Sequence, residues 1–274
     1  MSTETQTAQP TVAAKHRAMW ASGDYSAIVT DLVAPIGPVL VEATSIGPGD
    51  RVLDVAAGTG SVAIPAAQTG ADVVASDLTP ELLAQGRAAA EGRGITLQWR
   101  EANAEAMPFG DNEFDAVVSS IGVMFAPHHQ AAADELVRVC KPGGRIGVIS
   151  WTPEGFIGQM FATMKPYVAA PPPGAQPPPL WGDEAHVRAL LGDRVDGFAA
   201  RRDALTVEHF STGAAFRDYF KANYGPTIAA YRNIADDAER VAALDAELAD
   251  LGDKWLGGSG VMAWEYLLVT CRKR

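Results

Sequence analysis

Between residues 51 and 151 the chain alternates between two hydrophobic regimes. Short apolar runs rich in β-branched residues at Arg51 to Val55, Asp72 to Ser76, Thr96 to Arg100, Phe114 to Ser120 and Arg145 to Trp151 predict strands. Helical spacing at Ser61 to Gln68, Pro80 to Glu91 and Pro127 to Cys140 predicts helices between them. The ends are punctuated. Thr79-Pro80-Glu81 offers a cap, a first-turn proline and an acid, and Lys141-Pro142-Gly143-Gly144 stops a helix before the next strand. Strand and helix in alternation predict an α/β fold with a doubly wound, mostly parallel sheet and right-handed crossovers.

The flanks behave differently. Residues 1–12 are polar and aperiodic, which predicts a disordered tail. From Ala13 to Ala43 the apolar spacing is helical, broken at Gly23-Asp24 and Pro35, so two or three short helices should precede the first strand. Beyond Trp151 the rhythm stops. A stiff proline-rich stretch, Pro171 to Pro179, is followed by a helix at Asp183 to Leu191 and a strand at Phe198 to Val207. Helical patterns at Thr212 to Ile234 and Asp236 to Leu251 follow, then a strong strand at Val261 to Cys271. The expected division is a core with N-terminal helices at 13–151, a helical cover plus one strand at 152–260, and a final strand at 261–274 rejoining the core sheet.

Composition narrows the function. The 274 residues are 47% hydrophobic and carry a formal net charge of -11, which supplies a core and disfavours both nucleic-acid phosphate and anionic lipid as partners. Cys140 and Cys271 stand far apart in no metal-binding spacing, so neither a disulfide nor a metal site is expected. No apolar run reaches the roughly 18 residues of a membrane span. The expectation is a soluble, cytoplasmic protein working on small molecules.

The chemistry concentrates at Val52-Leu53-Asp54-Val55-Ala56-Ala57-Gly58-Thr59-Gly60. Gly58, Gly60 and Ala63 satisfy a dinucleotide fingerprint, and Asp77 follows nearly 20 residues later, so a nicotinamide oxidoreductase using NAD or NADP is one reading. Asp54 argues against it, because a carboxylate beside this turn would face the pyrophosphate. S-adenosylmethionine carries a sulfonium, an ammonium and one carboxylate; Asp54 would accept from the ammonium directly or through water, while Gly58 and Gly60 let the backbone approach. Asp77 offers two acceptor oxygens to a ribose diol, or serves as a turn aspartate before Thr79. Leu78 would cover the adenine. Asn103 would accept from the adenine amino group and the backbone near Ala104 would donate to the ring; Glu105 is either an adenine partner or a solvated acid. Ser119-Ser120-Ile121-Gly122 lies at the carboxyl edge of the sheet, where open α/β sheets bind ligands.

The segments VLDVAAGTG, ASDLTPELL, NAEAMPFGDNEFDAVVSS and LVRVCKPGGRIGVISW, in that order, resemble class I S-adenosylmethionine-dependent methyltransferases, in the small-molecule branch that includes quinone-biosynthesis C-methyltransferases. The resemblance covers roughly residues 45–151. It implies a seven-stranded Rossmann-like sheet ending in an antiparallel strand, S-adenosylmethionine as cofactor with S-adenosylhomocysteine as its product, and a small methyl acceptor. It assigns the methionine part to Asp54, Ala56, Gly58 and Gly60, and the ribose and adenine to Asp77, Leu78, Asn103 and Ala104; Ser120 joins the candidate cofactor contacts from its place at the sheet edge. Asn103 stands where the family usually has aspartate. Met19 to Tyr25 resembles the family's opening helix, with Tyr25 the cofactor contact and Trp20 a packing residue. His129 is the candidate base, against a solvent-facing reading of Pro127-His128-His129, and His209 has weaker standing. A silent S-adenosylmethionine-binding protein is the third alternative. Met and aromatic residues across 153–255, among them Met160, Phe161, Trp181, Phe216, Phe220 and Tyr224, suit a cover over a planar or lipophilic acceptor.

Overall fold

The computed structural model describes residues 11–274. The expected tail lies outside the described residues except for Thr11 and Val12, and Thr11 caps a helix by accepting from Ala14 N. In chain order the helices and strands are α1 (Val12–Trp20), α2 (Tyr25–Ile28), α3 (Ile36–Ala43), β1 (Arg51–Val55), α4 (Ala63–Gln68), β2 (Asp72–Asp77), α5 (Pro80–Glu91), β3 (Gln98–Glu101), β4 (Phe114–Ser120), α6 (His129–Val139), β5 (Cys140–Trp151), α7 (Phe156–Met164), α8 (Glu184–Leu191), β6 (Val195–Val207), α9 (Gly213–Asn223), α10 (Gly225–Asn233), α11 (Ala238–Leu256) and β7 (Met262–Lys273).

The strands form one sheet in the order β3-β2-β1-β4-β5-β7-β6. The first five are parallel, and β7 runs antiparallel to both β5 and β6. The strand counted with the cover is thus the sheet's outer edge, hydrogen-bonded to β7 alone. The central strands are buried on both faces, with Val52, Leu53, Val73, Val74, Val117 and Val118 nearly inaccessible. That is why they read as unbroken apolar runs rather than as alternation.

Two differences from the sequence pattern have local causes. The helical stretch 212–234 divides at Tyr224, because Pro226 has no N–H to continue α9 and instead opens α10. Strand β5 begins at Cys140, paired with Phe114, and the ladder resumes at Ala116 with Arg145, so the glycine pair 143–144 bulges between.

The N-terminal helices fold over the carboxyl edge of the sheet and are tied to the cover. Asp24 N donates to Asn223 O at 2.9 Å and Gly225 N donates to Tyr25 Oη at 3.1 Å. A Cβ on Gly225 would stand 2.9 Å from that hydroxyl, which fixes glycine there. Among the described residues no single helix is long and apolar enough to cross a membrane. The bent, apolar pair Tyr25–Val33 and Ile36–Ala43 buries Ile28, Leu32, Ile36 and Leu40 in the core.

Candidate functional site

The loops after β1 and β4 meet at the carboxyl edge. Ser119 Oγ donates to Val55 O at 2.6 Å and accepts from Val123 N at 2.9 Å, clamping one strand end to the other. Ala56 (φ 55°) and Ile121 (φ 53°) are both held in left-handed conformations, unusual for any side chain and most of all for isoleucine. A Cβ on Gly122 would lie 2.8 Å from Ala56 Cβ, so the two loops touch where only glycine fits.

Two adjoining cavities, of about 130 and 110 Å³, open on either side of this junction. They share Trp20, Tyr25, Ala56, Gly58, Ile121 and Phe125. The first is completed by Asp77, Leu78 and Leu82 after β2, Ala102 to Ala104 after β3, and His16 from α1. The second runs under the cover, between α2, the start of α7, α9 and the outer strands.

Asp77 ends β2 with its carboxylate at the first cavity. Oδ2 accepts from Gly58 N and Oδ1 from Thr79 N, each at 2.8 Å. Each oxygen keeps lone-pair capacity for a ligand, so the turn and ribose readings of this residue are compatible. Burial raises its pKa, while the two N–H donors hold it back. Asn103 Oδ1 accepts from Glu105 N at 3.1 Å. Among the described residues the Ala104 N–H has no acceptor, and a Cβ on Gly58 (φ 55°) would meet nothing within 4 Å. Glu105 is turned away: its Oε1 accepts from His128 N at 2.7 Å and lies 3.2 Å from His128 Nδ1. It lines neither cavity.

Of the ten residues assigned to the cofactor, Tyr25, Ala56, Gly58, Asp77, Leu78, Asn103 and Ala104 line the first cavity and Ser120 the second. Asp54 and Gly60 line neither. Asp54 lies beneath the turn, 1% exposed, with Oδ2 accepting from Ala63 N at 2.9 Å, and burial pushes its pKa up to about 8. A path from it to a ligand ammonium therefore runs through water or through movement of the turn. Gly60 (φ 87°) is a packing glycine, because a Cβ would stand 2.8 Å from Trp99 Cη2. Of the two glycines, only Gly58 has open space beside its Cα.

The histidines need a larger correction. His129 is neither a base at the site nor a solvent-facing helix start. It is completely buried, 3.0 Å from His186 Nε2 through Nδ1 and packed near Trp181, and lines neither cavity. Burial and the neighbouring imidazole lower its pKa to about 4. A histidine depressed on folding stabilises above its ordinary pKa and loses that contribution as pH falls toward about 4. His129→Ala should lower the unfolding free energy by about 2–4 kcal/mol, read by urea denaturation at neutral pH, without changing ligand affinity. His128 is exposed and paired with Glu105, and His209 is exposed against Phe210 and Tyr219.

The sequence reading missed His16, Phe125 and the cavity role of Trp20. Helix α1 buries no residue of its own, so no amphipathic stripe announces that face. The eight residues between His16 and Tyr25 have no pattern to connect them.

This turn, acid and cleft lie on a 3-2-1-4-5-7-6 sheet, and the chain carries an S-adenosylmethionine-dependent methyltransferase domain. A methyltransferase-domain family profile matches residues 53–148. A protein of Mycobacterium tuberculosis, named only as uncharacterized, is 58% identical over 264 residues, 96% of each chain. The demethylmenaquinone methyltransferase of Thermus thermophilus is 42% identical over 115 residues, 40% of this chain and 52% of that enzyme. In fold, a putative methyltransferase of Bacillus halodurans matches with TM-score 0.57 at 21% identity, over 86% of this chain and 97% of that one. Geranyl diphosphate methyltransferase in complex with S-adenosylmethionine matches at 0.53 and 16% identity, over 88% and 85%.

The cofactor is accordingly S-adenosylmethionine, which supplies a methyl group on a positively charged sulfur. The residues fit it: spare acceptors on Asp77, an unpaired Ala104 N–H, and open space at Gly58. The nicotinamide alternative falls with this assignment, and the strand order departs from the dinucleotide fold by inserting an antiparallel β7 beside β5.

Proposed function

We propose that the protein transfers the methyl group to a small, flat, apolar acceptor held in the second cavity, with Asp77, Leu78, Asn103 and Ala104 holding the adenosine half of the cofactor in the first. The observation that carries this reading is the lining of the second cavity. Seven aromatic residues, Trp20, Tyr25, Phe125, Trp151, Phe220, Tyr224 and Trp264, face it from five separate parts of the chain. They touch in sequence, with ring centroids 4.6 Å apart for Trp20 and Phe125, 5.3 Å for Phe220 and Tyr224, and 5.9 Å for Trp151 and Trp264. Such walls stack against flat ligands and offer few polar partners. Alignment of acceptor, methyl carbon and sulfur in this apolar cleft is the main catalytic resource, and positioning of that kind supplies roughly 7–11 kcal/mol.

Two measurements test the reading. S-adenosylhomocysteine at about 100 times its dissociation constant should stabilise the protein by roughly 2.7 kcal/mol in thermal unfolding. Turnover of S-adenosylmethionine should then respond to planar aromatic acceptors. Stimulation by amino acids or polyamines instead would overturn the acceptor assignment.

A further inference from the structure

The acceptor cavity holds no proton acceptor of ordinary basicity. Among the described residues every lining side chain is apolar, aromatic or hydroxyl-bearing; no carboxylate, imidazole, amine, guanidinium or thiol reaches it. The nearby ionisable groups are placed elsewhere: Asp77 and His16 face the adenosine cavity, and Asp54 is sealed under the turn. The phenols of Tyr25 and Tyr224 are both pushed above their usual range by burial, so neither removes a proton near neutrality. Tyr25 is moreover committed to Gly225 N.

The chemistry left open is narrow. A saturated alcohol has no group to take its proton. An amine enters as a cation beside a sulfonium, and its methylated product stays a cation with no carboxylate to pair with it. Attack from an aromatic carbon leaves a methyl and a hydrogen on one ring carbon, and no side chain is placed to remove that hydrogen. An oxyanion meets none of these obstacles. Its lone pair forms the O–C bond as the C–S bond breaks, the bonding pair passes to sulfur, and two opposite charges vanish in an apolar cleft. Its proton has already gone to solvent.

Tyr224 supplies the matching donor. Its ring is 7% exposed, fixed by Phe220, Tyr25 and Trp20 at centroid distances of 5.3, 6.2 and 6.5 Å. Among the described residues its hydroxyl makes no hydrogen bond to protein, and a neutral O–H facing an oxyanion is a strong, short contact. We infer that the protein O-methylates flat, apolar phenols or enols acidic enough to arrive as oxyanions, and that the Tyr224 hydroxyl donates the hydrogen bond that holds the oxyanion. This inference rests on the methyl-transfer reading of the site.

The test uses the full chain with para-nitrophenol, umbelliferone and β-naphthol, three flat phenols of graded acidity, beside naphthalenemethanol and tryptamine. The expected products are methyl ethers of the phenols, identified by mass spectrometry and NMR, with no reaction of the alcohol or the amine. The pH at half-maximal kcat/KM should move from phenol to phenol with each probe's own acidity. A midpoint fixed across probes, methyl on carbon or nitrogen, or no ether from any phenol overturns the inference. Calorimetry with S-adenosylhomocysteine separates the two levels. Loss of that binding defeats the methyltransferase reading, whereas intact binding without ether formation defeats only this one. In protein loaded with sinefungin, whose amine stands in place of the sulfonium, para-nitrophenol should bind as its yellow phenolate. Tyr224→Phe should weaken that phenolate binding and lower kcat/KM for the phenols tenfold or more, with S-adenosylhomocysteine affinity held within twofold; unchanged phenolate binding overturns the role of Tyr224.

Discussion

Replacing Asp77 with alanine is expected to weaken S-adenosylhomocysteine binding by at least 100-fold. The carboxylate sits at the end of β2 with one oxygen on Gly58 N and the other on Thr79 N, and its remaining lone pairs face the cavity. Charge-assisted hydrogen bonds to a ribose diol contribute about 1.5–3 kcal/mol each, and a factor of 100 corresponds to only about 2.7 kcal/mol. The same substitution frees Gly58, whose left-handed backbone shapes the wall shared by both cavities. Asp77→Asn keeps one acceptor oxygen and should lose less than the alanine variant. Isothermal calorimetry on the two variants and the parent decides the matter; an alanine variant within threefold of the parent would remove Asp77 from the binding site.

The second large effect runs in opposite directions for stability and binding. Asp54 has a pKa near 8 in the folded chain, against about 3.9 for a free aspartate. The folded state therefore holds the proton more tightly than the unfolded state, so this group's contribution to stability falls as pH rises from about 4 to about 8. Asp54→Asn keeps an oxygen for the Ala63 N–H and cannot ionise. The unliganded variant should be more stable than the parent at pH 8, by on the order of 3–5 kcal/mol, and about equal to it at pH 4. Cofactor affinity should fall tenfold or more, because the ionised carboxylate is the charge assigned to the ammonium. Binding of S-adenosylhomocysteine to the parent at pH 7 should also release close to one proton, seen as a dependence of the calorimetric enthalpy on buffer ionisation, and the variant should release none. A parent whose binding enthalpy ignores the buffer would separate Asp54 from the ligand.

These two residues mark where sequence reasoning reaches and where it stops. The strands β1 to β5, the turn at 56–60 and the acid at 77 are carried by short-range signals: apolar runs, glycine and fixed spacing. What a side chain faces is settled by contacts far away in sequence. The Gly60 requirement comes from Trp99, the burial of His129 from His186 and Trp181, and the cavity position of Trp20 from Phe125. The strand from Phe198 to Val207 is legible as a strand, but its place in the sheet depends on β7 lying between it and β5. No local pattern encodes that insertion.

The same insertion sets a schedule for synthesis. Strand β5 finishes at Trp151, but its outer edge is covered only by β7, beginning at Met262, about 110 residues later. At roughly 5–20 residues per second, the nascent chain carries an unpaired apolar strand edge for on the order of 10 s. During that interval β6 has been made and lacks its partner, since in the finished topology it pairs with β7 alone. The binding cleft, which Trp264 on β7 helps to wall, thus closes only when β7 slides between two strands already synthesised.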